Sequence, residues 1–301
     1  MEEIKQKIAQ NRIVLRELLQ NQDNQKTLDK WLLTELAYTS NAIEGNTLTR
    51  RETELVIEEK ITSGAKPIKD YIEAINHAKA FTFIKNTLNN KIDEDYVLHI
   101  HKIILAGIDD TNAGCYRAVR VRISGSQTIL PNPLKVPDLM KDFAEWLARK
   151  DDDMVMKAIE AHYRLVSIHP FTDGNGRTAR LLMNSILLAN GYAPIIIRNI
   201  DRKRYLSALE TYQISGNNAP YYRFMLSALN RSLKMMIDRL DITKVEVSDK
   251  LLTISKFAKL LGVPVSTVRY WLKIEKVKPI AFTASGYALF DEEQIAEINN
   301  K

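Results

Sequence analysis

The sequence predicts a mainly α-helical protein with one small β-hairpin and a separate C-terminal helix-turn-helix module. Three observations carry that reading. Apolar residues recur at spacings of three and four through most of the chain. One stretch, Val119-Arg120-Val121-Arg122-Ile123, alternates instead with the period of a strand. Past about residue 240 the composition changes, and two short amphipathic segments flank a Gly-Val-Pro turn.

The elements follow in chain order. In residues 31–46, Leu32, Leu36, Thr39 and Ile43 share one helical stripe. Ser40 and Glu44 are four apart on that helix and can meet the same partner, and Gly45 suits a C-cap. Taken alone, Glu44 reads as a solvated helix glutamate. Gly64-Ala65-Lys66-Pro67 is a loop between helices. Val119, Val121 and Ile123 form a half-buried strand, Ser124-Gly125-Ser126 turns, and Gln127 to Leu130 return as a second short strand. A lone hairpin has an open edge onto which an extended peptide can add, and it also fits an ordinary surface hairpin.

Ala158, Ala161, Leu165 and Ile168 mark a helix that Pro170 should stop, since proline disfavours helical geometry in the residue before it. Leu181, Leu182, Ser185, Ile186 and Leu188 mark the next helix, ended by Asn190-Gly191 and Pro194. Tyr205, Leu209, Tyr212 and Gln213 follow a helical period and reach Gly216-Asn217. Asp241 to Asp249 is polar and β-branched, which suits a linker. Beyond it, Ile254, Phe257, Ala258 and Leu261 make an amphipathic helix with Thr253 as N-cap. After the turn Gly262-Val263-Pro264, a second helix turns Val268 and Trp271 inward and Ser266, Thr267, Arg269, Tyr270 and Lys273 outward. Residues 280–290 can form a wing hairpin, and Asp291-Glu292-Glu293 starts a last helix.

Whole-chain properties narrow the class. With 301 residues, one large and one small domain is a natural split, here 1–90 and 91–240 for the helical part and 248–301 for the module. A hydrophobic content of 45% and a charged content of 27% are those of a soluble globular protein. No stretch approaches a membrane span, and the polar N-terminus is no signal peptide. A single Cys115 makes no internal disulfide, so the expected location is the cytoplasm. The five histidines lack metal-site spacing, and His99 and His101 face different ways on their helix. The net charge of +6 is mild, so its placement matters more than its sum.

The densest chemistry lies in His169-Pro170-Phe171-Thr172-Asp173-Gly174-Asn175-Gly176-Arg177-Thr178-Ala179-Arg180. This loop opens a helix, where unpaired N–H groups and the helix dipole favour an anion. Gly174 and Gly176 let the backbone approach a phosphate closely, and Asn175 tolerates left-handed geometry. Arg177 and Arg180, three apart, share a face and can both reach a phosphate chain. Asp173 is a hard carboxylate at the mouth, suited to Mg²⁺ with phosphate oxygens. His169 is the group best able to accept a proton near neutral pH.

These twelve residues resemble the active-site motif of Fic-domain proteins, with every fixed position matched. The resemblance implies a helical Fic core that moves AMP from ATP onto a hydroxyl side chain of a protein target, or of the chain itself. By that likeness His169 deprotonates the target and Asp173 holds Mg²⁺ against the α- and β-phosphates. The Gly174–Arg177 backbone forms the anion hole, Asn175 supports the α-phosphate and Arg180 grips the γ-phosphate. Phe171 anchors the loop in the core. Ser40 to Gly45 resembles the family's inhibitory motif, placed N-terminal to the core, which implies a bidentate pairing of Glu44 with Arg180. The hairpin resembles the family's flap, which gives Val121, Ile123 and Gly125 a target-docking role. Residues 205–217 correspond to the adenine and ribose pocket, with Tyr205 and Gln213 as candidates, although Gly216-Asn217 stands where the usual pattern ends in Gly-Asp.

The C-terminal module resembles the MerR-family winged helix-turn-helix over about fifty residues, but Ala288 stands where that family usually has an arginine after the wing tyrosine. Residues 244–280 carry eight Lys or Arg against three acids, which fits nucleic acid, while protein contact is an equally open use of the fold. The alternatives are therefore a nucleotide-sensing, DNA-binding regulator, or an enzyme that removes AMP or moves another phosphate-containing group. A homo-oligomer is also compatible with the sequence.

Overall fold

The computed structural model describes residues 1–62, 65–123, 125–247, 251–274, 276–282, 288–291, 294, 295 and 298. The chain divides into two units, residues 1–8 with 29–232, and residues 9–28 with 233–301. As expected, the structure is mainly α-helical.

The helices are α1 (Glu2–Leu18), α2 (Gln22–Ile43), α3 (Arg50–Glu54), α4 (Ile68–Asn86), α5 (Glu94–Leu105) and α6 (Val136–Ala148). They continue with α7 (Met154–Ile168), α8 (Asn175–Ala189), α9 (Arg202–Ser215) and α10 (Ala219–Val247). Within the first unit α8 packs against α7, α5 and α4. Leu181, Leu182, Met183, Ile186 and Leu187 are buried on it, and so are Asn175, Arg177 and Arg180. A helix buried nearly all round belongs to a core. The guanidiniums it carries must therefore find partners, because an unpaired buried charge costs several kcal/mol, on the order of 3–5. On α2 the expected stripe of Leu32, Leu36, Thr39 and Ile43 is buried.

Two expectations are corrected here. The segment from Asp241 to Val247 is helix, because α10 runs through it. No proline or glycine interrupts these residues, and polar or β-branched side chains lower helix propensity by only about 0.7 kcal/mol each at most. The pair of strands expected at 119–130 is not formed among the described residues. The chain does turn back there, with Ser126 N–H donating to Ile123 O at 3.2 Å and Gly125 at φ +75°. Its polar groups are taken by side chains from elsewhere in the fold, so no ladder forms.

The C-terminal module has its own core. It comprises β1 (Leu251–Thr253), α11 (Ile254–Leu260), α12 (Val265–Lys273), β2 (Ala281–Phe282) and β3 (Ala288–Asp291). The strands lie in the order β1-β3-β2, antiparallel, with Leu252 opposite Phe290 and Ala281 opposite Leu289. Thr253 caps α11 through its side chain, as expected. Phe257 and Phe290 stack at 4.3 Å over Val268, with Trp271 and Leu272 packed at the side. The wing tip at 283–287 and Glu292-Glu293 of the expected last helix lie outside the described residues. Among the described residues no helix is long and apolar enough to cross a membrane.

Candidate active site

α7 ends at Ile168 because His169 takes a left-handed backbone (φ 52°, ψ 58°), with its N–H closing on Leu165 O at 2.9 Å. That conformation costs a non-glycine residue roughly 1–2 kcal/mol and must be held from outside. Arg117 holds it. Buried to 2% exposure, its Nε donates to His169 O at 2.7 Å, Nη1 to Val119 O at 3.1 Å and Nη2 to Pro131 O at 2.7 Å. Its backbone N–H also donates to Pro170 O at 2.9 Å. One guanidinium thus ties the histidine loop to both ends of the 119–131 segment.

The rest of the loop is stapled from below. Phe171 is fully buried, as the anchor expected of it, and stacks on His101 at 3.6 Å. His101 Nδ1 accepts from Gly114 N–H at 3.0 Å, so Nε2 carries the hydrogen that it donates to Asp173 O at 3.0 Å. Burial lowers the His101 pKa to about 4 and keeps it neutral. The Asn175 amide accepts from Phe171 N–H and donates to Phe171 O, both at 2.9 Å. The side chain expected to support a phosphate is thus used by the loop itself.

His169 is the free base of the site. Its Nδ1 lies 3.2 Å from Val166 O, and a carbonyl can only accept, so the hydrogen sits on Nδ1. Burial lowers its pKa, outweighing the backbone hydrogen bond that would raise it. The neutral ring then leaves the Nε2 lone pair for a substrate proton.

Gly174 enters α8 left-handed at φ +76°, and a Cβ there would lie 3.3 Å from the His101 ring. At Gly176 a Cβ would run into the Glu44 carboxylate. The two arginines do not act as a pair. Arg177 turns into the core, where Nη1 meets Glu73 Oε1 at 2.8 Å and Nη2 meets Asp173 Oδ1 at 3.3 Å. Two carboxylates, Glu73 on α4 and Asp173 in the loop, thereby replace the expected phosphate contact of this side chain. Arg180 points to α2. Its Nε donates to Ser40 Oγ at 2.9 Å, and its Nη2 donates to Ser40 O at 2.9 Å and to Glu44 Oε1 at 2.7 Å. The expected bidentate Glu44–Arg180 pair is therefore a single contact, because Ser40 takes the Nε edge of the fork. Burial alone would make Arg180 less basic, but Glu44 and the Tyr205 hydroxyl outweigh it. Arg202 Nε, donating to Ile43 O at 2.6 Å, secures the end of α2 beside Glu44.

Asp173 remains half-exposed at 52%. Burial would raise its carboxyl, yet Arg177, the Gly174 N–H and Lys69 hold it below the usual range. Among the described residues no three metal-ligating side chains converge. An ionised, open single carboxylate suits a cation that takes its other ligands from phosphate oxygens.

The flap candidates Val121, Ile123 and Gly125 flank a groove of about 720 Å³ whose lining includes Val121 and Ser126. It is held by α9. Glu210 accepts from Ser126 Oγ at 2.7 Å and from Gln127 N–H at 2.8 Å, and Gln213 Oε1 accepts from Thr128 Oγ1 at 3.0 Å. Gln213 thus binds the 119–131 segment, and its Nε2 donates to Ser167 Oγ at 3.2 Å. Tyr205 is 1% exposed, donates to His162 Nε2 at 2.9 Å and lies against Arg180, so its side chain is spent inside the core. In the module, Ser266, Arg269, Tyr270 and Lys273 are exposed and Thr267 is half-buried.

Arg117, Glu73, His101 and Glu210 were absent from the sequence-derived site. Arg117 follows Tyr116 in a stretch that reads as strand and turn. Glu73 stands four residues after Lys69 on α4, a spacing that a solvated surface pair would share. Only their distant partners distinguish them.

Residues 91–187 match the model of the Fic/DOC family, and residues 253–290 match that of the MerR family regulatory proteins. The chain is 38% identical over 203 residues to a protein adenylyltransferase Fic of Nematostella vectensis, covering 65% of this chain and 47% of that one. It is 35% identical over 219 residues to the Aedes aegypti protein of the same name, covering 70% and 43%. The chain thus spans less than half the length of these curated relatives. Among solved structures, a Fic domain containing signaling protein of Bacteroides thetaiotaomicron superposes with a TM-score of 0.69 at 28% identity, covering 78% of this chain and 97% of that one. A fragment of Fic-1 from C. elegans gives 0.72 at 28% identity, covering 80% and 74%.

Proposed function

This chain contains a Fic/DOC domain and a MerR-type C-terminal segment, and from that premise we propose that it transfers AMP from ATP to a hydroxyl of a protein target. The observation that carries the reading is the neutral His169, with its Nε2 lone pair free at the mouth of a helix N-terminus. The target oxygen attacks the α-phosphorus, its proton passes to His169 Nε2, the bond to the bridging oxygen breaks and pyrophosphate leaves. The first N–H groups of α8 favour the anionic phosphates. Asp173 would hold Mg²⁺, which when bound neutralises phosphate charge. The 119–131 segment would present the target, with Arg117 fixing its distance from the histidine.

In the resting chain Glu44 and Ser40 occupy Arg180, the arginine that would grip the γ-phosphate. We read this as self-inhibition, with α2 as the inhibitory helix. Intact-mass measurement after incubation with ATP and Mg²⁺ tests the reading. One AMP should be gained by Glu44→Gly and none by the double variant that adds His169→Ala. No gain in any variant, with or without lysate proteins, overturns AMP transfer.

A second reading is favoured by the exposed Arg269, Tyr270 and Lys273 on α12. Under it the module binds DNA and the Fic domain serves as a nucleotide sensor. A gel shift should then weaken at least tenfold in the Arg269→Ala, Lys273→Ala double variant, and binding that ignores the change rejects it. Hydrolytic removal of AMP from a target is a further chemistry at the same residues, in which water attacks the phosphorus, the target oxygen leaves with a proton, and Glu44 would orient the water. Loss of AMP from a modified target on adding wild type, and not His169→Ala, would assign that direction.

A further inference from the structure

Helices α9 and α10 face each other over a pocket of about 690 Å³ that the chemistry at His169 does not use. Lys203, Arg204, Ser207 and Thr211 line it from α9 at helical spacing. Arg223, Ser227 and Arg231 line it from α10 at intervals of four. Its floor includes Ala208 and Phe224, and the Arg231 guanidinium stands 5.9 Å above the Phe224 ring.

The charge here is only partly compensated. None of the residues lining the pocket is an acid. Asp201 is the acceptor beside it, and its Oδ2 is shared by Arg198 at 2.9 Å and Arg231 at 3.3 Å. Lys203, Arg204 and Arg223 form no ion pair among the described residues. Burial makes Arg231 less basic, and the neighbouring Arg198 and Arg204 push the same way against Asp201. Cations crowded into one concavity repel unless an anion enters.

We infer that this pocket is a second ligand site, distinct from the one at His169, that takes an anion carrying two or more phosphate groups. The donor set favours phosphate over carboxylate. Guanidinium forks match phosphate oxygens in pairs, and the hydroxyls of Ser207, Thr211 and Ser227 can reach the oxygens left over. A chain of phosphates also spans cations on two helices, which a single carboxylate does not. The same chemistry is offered by a free polyphosphate or nucleotide and by a phosphorylated lipid headgroup.

Calorimetric titration of the full chain at 150 mM salt tests this with inorganic tripolyphosphate, a glutamate hexapeptide, and vesicles with and without a bisphosphorylated inositol lipid. Tripolyphosphate should bind saturably, and the Arg204→Glu, Arg223→Glu double variant should weaken it at least tenfold. Both residues are exposed, so the fold should survive. AMP transfer in the Glu44→Gly background should stay within twofold of the parent, which separates this site from the one at His169. Vesicle binding lost with the same variant assigns the source to a headgroup, and binding of tripolyphosphate alone assigns it to a free ligand. Tripolyphosphate affinity that survives the charge reversal, equal affinity for the hexapeptide, or no saturable binding would overturn the proposal.

Discussion

Glu44 Oε1 stands 2.7 Å from Arg180 Nη2, although 136 positions separate the two residues in the chain. The contact is single and partly open, since Glu44 is 38% exposed while Arg180 is 6% exposed. An opposing γ-phosphate can compete for such a contact, and Ser40 would still hold the Nε edge of the fork. Glu44→Gly should therefore raise AMP incorporation about tenfold or more, equivalent to about 1.4 kcal/mol of lost competition. Radiolabelled ATP measures this directly. Equal incorporation by wild type and variant removes the inhibitory role.

Arg117 touches His169 only through the backbone carbonyl, so it is a positioning residue. In the Glu44→Gly background, Arg117→Ala should lower kcat by roughly tenfold to a hundredfold with little change in KM for ATP. Lysine cannot serve three carbonyls with a planar fork, so Arg117→Lys should restore little. Truncation also leaves three carbonyls without their charged donor and should cost about 2–4 kcal/mol of stability. A purely structural role would lower stability without moving kcat per folded molecule, which active-site titration distinguishes.

Glu73 and Arg177 form a buried pair at 2.8 Å. Glu73→Ala strands the guanidinium, and the expected cost is about 3–5 kcal/mol. In thermal unfolding that corresponds to a fall in Tm of roughly 10 °C. Replacing both residues with leucine and methionine should recover most of the loss. If the single and double variants melt together, the pair is not what holds this end of α8.

Acid should unfold the protein through its buried histidines. Burial lowers His77 and His162 to about 3 and His101 to about 4, all below the ordinary value of about 6.5. The unfolded chain then binds more protons than the native one, so stability is intact above pH 6.5 and falls as pH drops. Each histidine withdraws on the order of 3 kcal/mol by the time pH reaches its native value. Urea unfolding at pH 7.5, 6 and 5 should show midpoints falling in that order. A flat midpoint over this range would mean that these rings are not buried neutral. His169 is shifted in the same direction, so the transfer rate should stay level above neutrality and decline only below pH 6.5.

Much of the site was legible because its geometry is local. Apolar spacings of three and four placed α7 and α8, and the loop between them carries its own glycines. The i,i+4 relation of Ser40 and Glu44 sets both toward one partner, while Arg180 as the partner of Glu44 follows only from the resemblance to the inhibitory motif. What stayed hidden depends on residues far apart in sequence. Arg117 is recognisable only by the carbonyls of Val119, Pro131 and His169 converging on it. The 119–130 segment alternates like a strand but meets Glu210 and Gln213 sooner than it meets itself. α10 continues through Asp241 to Val247 because weak propensity does not stop a helix already under way, and only proline or glycine would have marked an end. The phosphate role of Asn175 follows only from the resemblance, and its amide serves a ligand or its own loop with the same hydrogen-bonding capacity.

The burial of Arg177 and Arg180 within α8 has a consequence for how this protein can change over time. Most enzymes can drift into inactive forms by losing an exposed functional side chain at little cost to their folding. Here a substitution at either arginine opens a hole in the central helix and strips Glu73 of its buried cation in one case or Ser40 of its donor in the other. A lineage relaxing its need for the reaction would tend to keep these two positions and to lose exposed Asp173 or solvent-facing Glu44 first. Retention of both arginines in a homologue is therefore weak testimony to activity, and the state of position 169 is the better witness.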